Sequence, residues 1–547
     1  MSHNIFEQLK LNSDKQIELL ETISNRLKKE ENKTLKMLSA IGPLVSGLLI
    51  AAAGWYFTNT HNKQEMKLAQ IGVIEKFAPK LQDSVYATRL AALSTILSLD
   101  DEDLAIRTVS ILDIEDRQVI LSRLFNASVY TKDYSLMTRI LRLYHGMIMP
   151  DEFQRTPLFI AIDNKDIETV KFLIEHDFGV NDIVVGQSTP LFEAVVVGDC
   201  KVIQFLLANK ANPNVPFNEI TPLMKAVDEG RLDVIKILLA NKNVDVNFQN
   251  DSKLNALLLA VGFRVYQPDY PADKVVSLLL KAGAKLDVLS REGHSPIMES
   301  VLNNYPESFK LLFDQKIADK DSSDLDACLI AATERGREKI VRYLLEHKIS
   351  PKIKTAYGST LLHLVKDNPE IAQLLLNAHL DVNAKNETGE TVLHSLLAEV
   401  YYARVTPLKR EEYNNELNPG ILKVLNLYIK AGIKVNESSE YNTFPLNVAA
   451  LYRSSEIVET LLKNGANVNN QSGEDSTTAL MDASRYGRSD NVAVLLKYHA
   501  DKNIRNTKGQ TALDEAEDFL KYYKTRGDSM ESYMIQRLEN TILALKE

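Results

Sequence analysis

At 547 residues the chain exceeds what one compact core accommodates, so several domains or a repeat array are expected. Apolar residues make up 45% and charged residues 25%, the balance of a folded protein; the net charge of -9, with no long Lys/Arg run in the repeat region, argues against a phosphate-backbone partner such as nucleic acid. The two cysteines, Cys200 and Cys328, fall four units apart in the register described below and belong to no Cys-x-x-Cys pair, which excludes a disulfide framework and a zinc or redox pair.

Residues 1–36 read as a polar amphipathic helix. Phe6, Leu9, Leu20, Ile23 and Leu27 fit one heptad register, while Ser13 and Gln16 interrupt it; a solvated helix beside a membrane and a weak coiled coil both fit. Residues 37–58 contain no charge, and as a helix they would extend about 33 Å, enough for a hydrocarbon core of about 30 Å. Trp55, Tyr56 and Phe57 close that stretch where amphipathic rings favour lipid headgroups. It follows 36 polar residues and is long for a signal peptide, so a retained single-pass anchor in the lipid bilayer is expected. Ala40, Gly47 and Gly54 recur every seven residues and would let two such helices approach closely, a route to a homo-oligomer. Arg26, Lys28, Lys29, Lys33 and Lys36 precede the segment, against Lys63 and Lys67 after it, which favours a cytosolic N-terminus.

Residues 64–115 show helical periodicity, as at Leu90, Leu93, Ile96 and Leu97. A second helix over 104–112 follows the acidic run Asp100-Asp101-Glu102-Asp103, which suits a helix start. This helical pair resembles one armadillo or HEAT unit.

From there the chain rewrites one phrase. Thr156-Pro157-Leu158, Thr189-Pro190-Leu191 and Thr221-Pro222-Leu223 open a series of units whose first positions fall at 156, 189, 221, 255, 295, 326, 360, 391, 444, 478 and 511. The spacing centres on 33 residues, stretched to 40 after Asn255 and to 53 after Thr391. Thr caps a helix start and Pro suits the position after it; Leu and Ala pack a first helix on a second, and Gly or Asn after the second helix takes a left-handed conformation. No unit buries its apolar face alone, so the units must stack. The Thr-Pro-Leu-His-x-Ala signature, whose His survives at His363 and His394, the period and the segment Gly465-Ala466-Asn467-Val468-Asn469 resemble the ankyrin repeat family over residues 120–547, with a degenerate first unit near 121–144 and C-terminal capping helices. The resemblance implies an all-α solenoid of helix-turn-helix units that binds other proteins through its concave face and repeat tips. Family habit places such repeats in the cytosol, against the flanking charges, so the side of the membrane stays open.

At the His position Phe159, Phe192, Met224, Leu258, Met298 and Met481 stand elsewhere, favouring an apolar seam over a shared polar network. His363 and His394 lie in adjacent units, and capping or bridging of helices explains them better than a metal site. The two stretched intervals carry Tyr266 and Tyr270, and Tyr401, Tyr402 and Arg404, residue types that anchor interfaces. A tolerated surface excursion is the competing explanation. No phosphate loop, His-Glu-x-x-His run or nucleophile elbow occurs, and no residue is a candidate for catalysis, metal or cofactor binding. The expected function is a membrane-tethered binding scaffold; a regulatory or accessory subunit of a membrane channel or transport assembly is the alternative.

Overall fold

The structure, a computed structural model, describes residues 114–144, 148–151, 153–183, 188–262, 269–318, 324–398, 419–452, 454–526 and 531–547. The expected amphipathic helix (1–36) and membrane segment (37–58), with Ala40, Gly47 and Gly54, lie outside those residues, as does the 64–115 pair except its last two positions. Among the described residues no helix is long and apolar enough to cross a membrane. They form 24 α-helices and no strand, with four isolated β-bridges.

The chain divides into two compact bodies, one ending at Asp245 and one beginning at Val246. In the first, the pair Ile114–Thr131 and Tyr134–Leu143 precedes three more: Pro157–Asp163 with Ile167–Glu175, Pro190–Val197 with Cys200–Ala208, and Pro222–Asp228 with Leu232–Leu239. First helices pack on first helices and second on second, giving two layers. The second body repeats this plan from the pair Ala256–Val261 and Ala272–Lys281 to the closing pair Ala512–Arg526 and Glu531–Lys546. The seams are filled by Leu158, Ala161, Leu191, Ala194, Leu223 and Ala226 in the first body and by their counterparts, such as Leu480 and Ala483, in the second, all buried.

Ten of the eleven expected first positions immediately precede a helix. Thr156, Thr189, Thr221, Asn255, Ser295 and Thr478 each accept the backbone N–H three residues on, at 2.8–3.4 Å. Such caps are worth about 1 kcal/mol each. The exception is Asp326: the helix there begins at Leu325, behind Asp324 at φ +69° with no side-chain cap, so Asp326 sits inside the first turn. Its spacing follows the period, but the helix starts one residue early, which takes the Asp326 carboxylate past the capping position.

The left-handed position after the second helix also departs from expectation. Gly283, Gly432 and Gly465 fill it in three units, but Asp177, Lys210, Lys348, His379 and His499 adopt φ of 60–67° in others. Their helices close through backbone hydrogen bonds of the same kind, such as Lys210 N–H to Leu207 and Ala211 N–H to Leu206, so the fold imposes the geometry on side chains that disfavour it.

Asparagines tie neighbouring units at these ends. Asn181 donates to the Lys210 carbonyl and accepts from Asn212 N–H; Asn214 does the same with Asn243 and Asp245. In the second body Asn247, Asn383 and Asn436 repeat the two-bond bridge to Gly283 and Lys285, Gly432 and Lys434, and Gly465 and Asn467. Each bridge satisfies a helix-end carbonyl and a loop N–H together.

Candidate protein-interaction surface

Where the residues before a first helix are described, several units show a tight hairpin, closed for example by Thr355 N–H to Ser359, Asn386 N–H to Glu390 and Ser439 N–H to Thr443. In the second body successive hairpins bond tip to tip. Glu387 N–H donates to the Tyr357 carbonyl, Glu440 N–H to Thr388, Gly473 N–H to Asn442 and Thr507 N–H to Asp475, all at 3.0–3.2 Å. At Gly358 an added Cβ would lie 3.2 Å from Glu387 N, and at Gly389 2.8 Å from Glu440 N, so only glycine permits this approach. The result is a rigid row of hairpin tips.

Its side chains face water. Tyr357 is 77% exposed and Tyr441 68%. Glu387, Glu440 and Glu474 are exposed between and beside them and form no ion pair among the described residues. Lys385 is held by Glu437 and Lys508 by Asp475. Rigid aromatic tips flanked by unpaired carboxylates are suited to contact a partner surface. In the first body, Phe153 at the hairpin tip is 67% exposed and lies over the Arg155 guanidinium, which is held by Asp151 and Asp163 and by the Tyr130 hydroxyl.

Beneath the row, polar side chains bridge the seams. His363 Nδ1 accepts the Thr360 N–H at 3.2 Å, so its proton sits on Nε2, which donates to the Glu390 carbonyl of the next unit at 3.2 Å. His394 repeats the arrangement with Thr391 N–H at 3.2 Å and the Thr443 carbonyl at 2.8 Å. Burial lowers the pKa of both rings, which keeps them neutral as this geometry requires. The histidines thus cap and bridge as expected; among the described residues no cluster of three or more His, Cys, Asp or Glu side chains is placed to hold a metal ion.

Asn447 occupies the His position of the following unit. Its Nδ2 donates to the Thr477 carbonyl at 3.1 Å, where a histidine would place Nε2. The same nitrogen also donates to Asp482 Oδ2 at 2.8 Å. Its Oδ1 has no partner, and the Phe444 N–H, which the corresponding histidine nitrogen would accept, donates to Ser472 Oγ instead. Asp482 is half-buried on the first helix of its unit, and burial pushes its carboxyl up to about 6. The guanidinium that acts on it, Arg485, is engaged by Glu515 in a two-pronged pair at 2.5 and 2.7 Å, and Asn506 donates to the same carboxylate.

Of the residues singled out in the stretched intervals, Tyr266, Tyr401, Tyr402 and Arg404 lie outside the described residues. Tyr270 is half-buried beside the start of the helix Ala272–Lys281, its carbonyl accepting the Ala272 N–H at 2.9 Å. The exposed tips come from inside the regular period. Phe153, Tyr357 and Tyr441 all stand three residues before a first position, where other units carry Asn218, Ser252, Glu292, Thr388, Asp475 and Lys508. Aligning the units on that position exposes the variable column; attention to the insertions passes over it.

The family model described as ankyrin repeats (three copies) matches residues 124–217, 266–355, 317–386 and 415–506, more than half of the chain, and the single ankyrin repeat model matches 218–251. The chain belongs to the ankyrin repeat family. Ankyrin repeats are protein-interaction modules and typically carry no catalytic site. An ankyrin repeat protein of fowlpox virus (strain NVSL) is 24% identical over 353 residues, covering 55% of this chain and 52% of that protein. Another from Pyrobaculum aerophilum is 36% identical over 70 residues, 13% of this chain and 27% of its own length. This ankyrin chain therefore spans about half of the one relative and about a quarter of the other. An ankyrin repeat domain from Acinetobacter baumannii shares 27% identity at a TM-score of 0.32, covering 35% of this chain and 96% of that one.

Proposed function

We propose that this ankyrin repeat protein is a membrane-tethered scaffold that binds other proteins through its hairpin tips and the first-helix face beneath them, with residues 37–58 as the tether. The observation that carries the reading is the backbone-bonded tip row with Tyr357 and Tyr441 raised into solvent. A large, stiff, amphipathic ring held on an ordered backbone loses little entropy on binding, which is why tyrosine anchors interfaces. A tether near a membrane raises the effective concentration of partners there. The uncharged 37–58 stretch supports the tether, and its small-residue stripe supports contact between two copies.

Photo-crosslinkers at positions 357 and 441 of the full chain in intact cells test the interaction. Defined proteins should be captured there and not from position 456, an exposed site on a second helix. The same capture from all three positions refutes the reading. Alkaline extraction tests the tether: the full chain should stay with membranes and a chain lacking 37–58 should leave them. Proteolysis of sealed vesicles, with a tag at each end, decides which side carries the repeats.

A further inference from the structure

We infer that Asn447 and Asp482 together form a receptor for a cationic side chain presented by a basic segment of the partner protein. The inference rests on the interaction reading above and names the chemistry of the partner. Three observations converge on it. First, Asn447 is 4% exposed and its Oδ1 has no hydrogen-bond partner, although its Nδ2 is used twice. A buried acceptor left empty costs free energy, and it is satisfied by a group that brings hydrogen. Second, Asp482 accepts hydrogens from Asn447 and Thr477 but has no ion-pair partner among the described residues. The other charged groups acting on it are Arg485 and Glu515, which neutralise each other as a two-pronged pair, so the cluster keeps one uncompensated negative charge. An ammonium or guanidinium approaching from the partly exposed side of Asp482 supplies the missing charge and brings donors toward Asn447 Oδ1. Third, the two residues stand at the bases of adjacent hairpins whose tips are tied by the Gly473–Asn442 bond. Those tips carry the exposed Tyr441 and the unpaired Glu440 and Glu474. A basic chain lying along the tips would meet carboxylates there, an aromatic face for a second cation, and the Asn447–Asp482 pair below. Its requirement for an ionised Asp482 makes binding weaken on acidification through about 6.

Binding of a fluorescein-labelled hexalysine peptide to the full chain, measured by anisotropy at fixed salt, tests this, with hexaglutamate as control. Asp482→Asn should weaken hexalysine at least tenfold while melting no lower than the parent, Tyr441→Ala should weaken it severalfold, and Glu456→Gln, on an exposed second-helix site, should leave it unchanged. Parent-like binding by Asp482→Asn overturns the inference, as does an equal loss in Asp482→Asn and Glu456→Gln, which would mean diffuse attraction to an acidic protein. Either failure leaves the crosslinking result at 357 and 441 standing, so the two readings fail separately.

Discussion

Replacing His394 by leucine isolates the contribution of a bridging histidine to one seam. The ring is 2% exposed, and leucine fills much of its volume without its nitrogens. The Thr391 N–H, now 3.2 Å from Nδ1, loses its partner, and the Thr443 carbonyl, 2.8 Å from Nε2, keeps only the Ser439 N–H. The orphaned N–H costs roughly 1–3 kcal/mol and the lost carbonyl bond about 1 kcal/mol, while the leucine recovers about 1 kcal/mol of apolar burial, so the net loss is about 1–3 kcal/mol. Because repeat units open largely with their neighbours, that loss should stay local. Hydrogen exchange over 391–398 and 443–450 should accelerate about 5- to 150-fold, with little change over 361–377. Acceleration under threefold, or an equal change across the units on either side, would refute the bridging role.

The same rings set an acid dependence. Their folded pKa values lie below the ordinary histidine value, chiefly through burial, so the unfolded chain binds more protons in between. Their contribution is complete above about pH 6.5 and is lost as pH falls from there toward the folded values, at up to about 1.4 kcal/mol per pH unit for each ring. His363→Leu with His394→Leu should be less stable than the parent at pH 7.5 and should lack this decline between pH 6.5 and 5; a persisting decline assigns it elsewhere.

Three further outcomes follow from particular positions. Asp482 has a folded pKa above its unfolded value, so its neutral form favours the fold and stability is lost as pH rises through about 6; Asp482→Asn should therefore gain roughly 1–3 kcal/mol at pH 7.5, shrinking toward pH 4, in thermal melts across that range. Gly487 has φ +61°, and an added Cβ would lie 3.0–3.1 Å from Arg537 and the Leu538 backbone; Gly487→Ala should loosen the closing helix Glu531–Lys546 by about 1–3 kcal/mol, read as faster exchange in that helix. Lys210 sits at φ +67° after the helix Cys200–Ala208, so Lys210→Gly should stabilise by about 0.5–1 kcal/mol, the strain relieved less the added freedom of the unfolded glycine, measured by denaturant unfolding.

What was legible beforehand was the part specified locally. A Thr-Pro-Leu phrase carries its cap, its first helical position and its core leucine together, so helix starts fell where the period placed them. Asp326 shows the limit: position in a period does not create a cap, and the helix started at Leu325 without one. The left-handed positions show another, since Lys348 and His499 are placed at positive φ by the packing of whole units and not by their own preference. The bridging role of His363 and His394 was readable from the family pattern, whereas Asn447 was not read as their counterpart, because its bridge to Thr477 depends on a neighbour brought close by stacking. The tip tyrosines were present in the register, but only the ladder of hairpin bonds shows that they stand in one row.

That contrast bears on why Asp482 and Asn447 differ from their counterparts. In the two preceding seams a histidine satisfies both the first-position N–H and the next carbonyl, and the seam is closed to further chemistry. At the third, the asparagine makes the forward bond and leaves an acceptor empty, and the carboxylate it holds lacks a cation. Both features cost stability, and a histidine with an apolar neighbour would remove both. A seam that is less stable than its own array shows how to build, lying under tips that carry Tyr441, Glu440 and Glu474, is better suited to receiving a ligand than to holding two units together. The stability gain and the binding loss expected of Asp482→Asn are therefore one prediction, and observing the gain without the loss would make Asp482 a defect of the seam and nothing more.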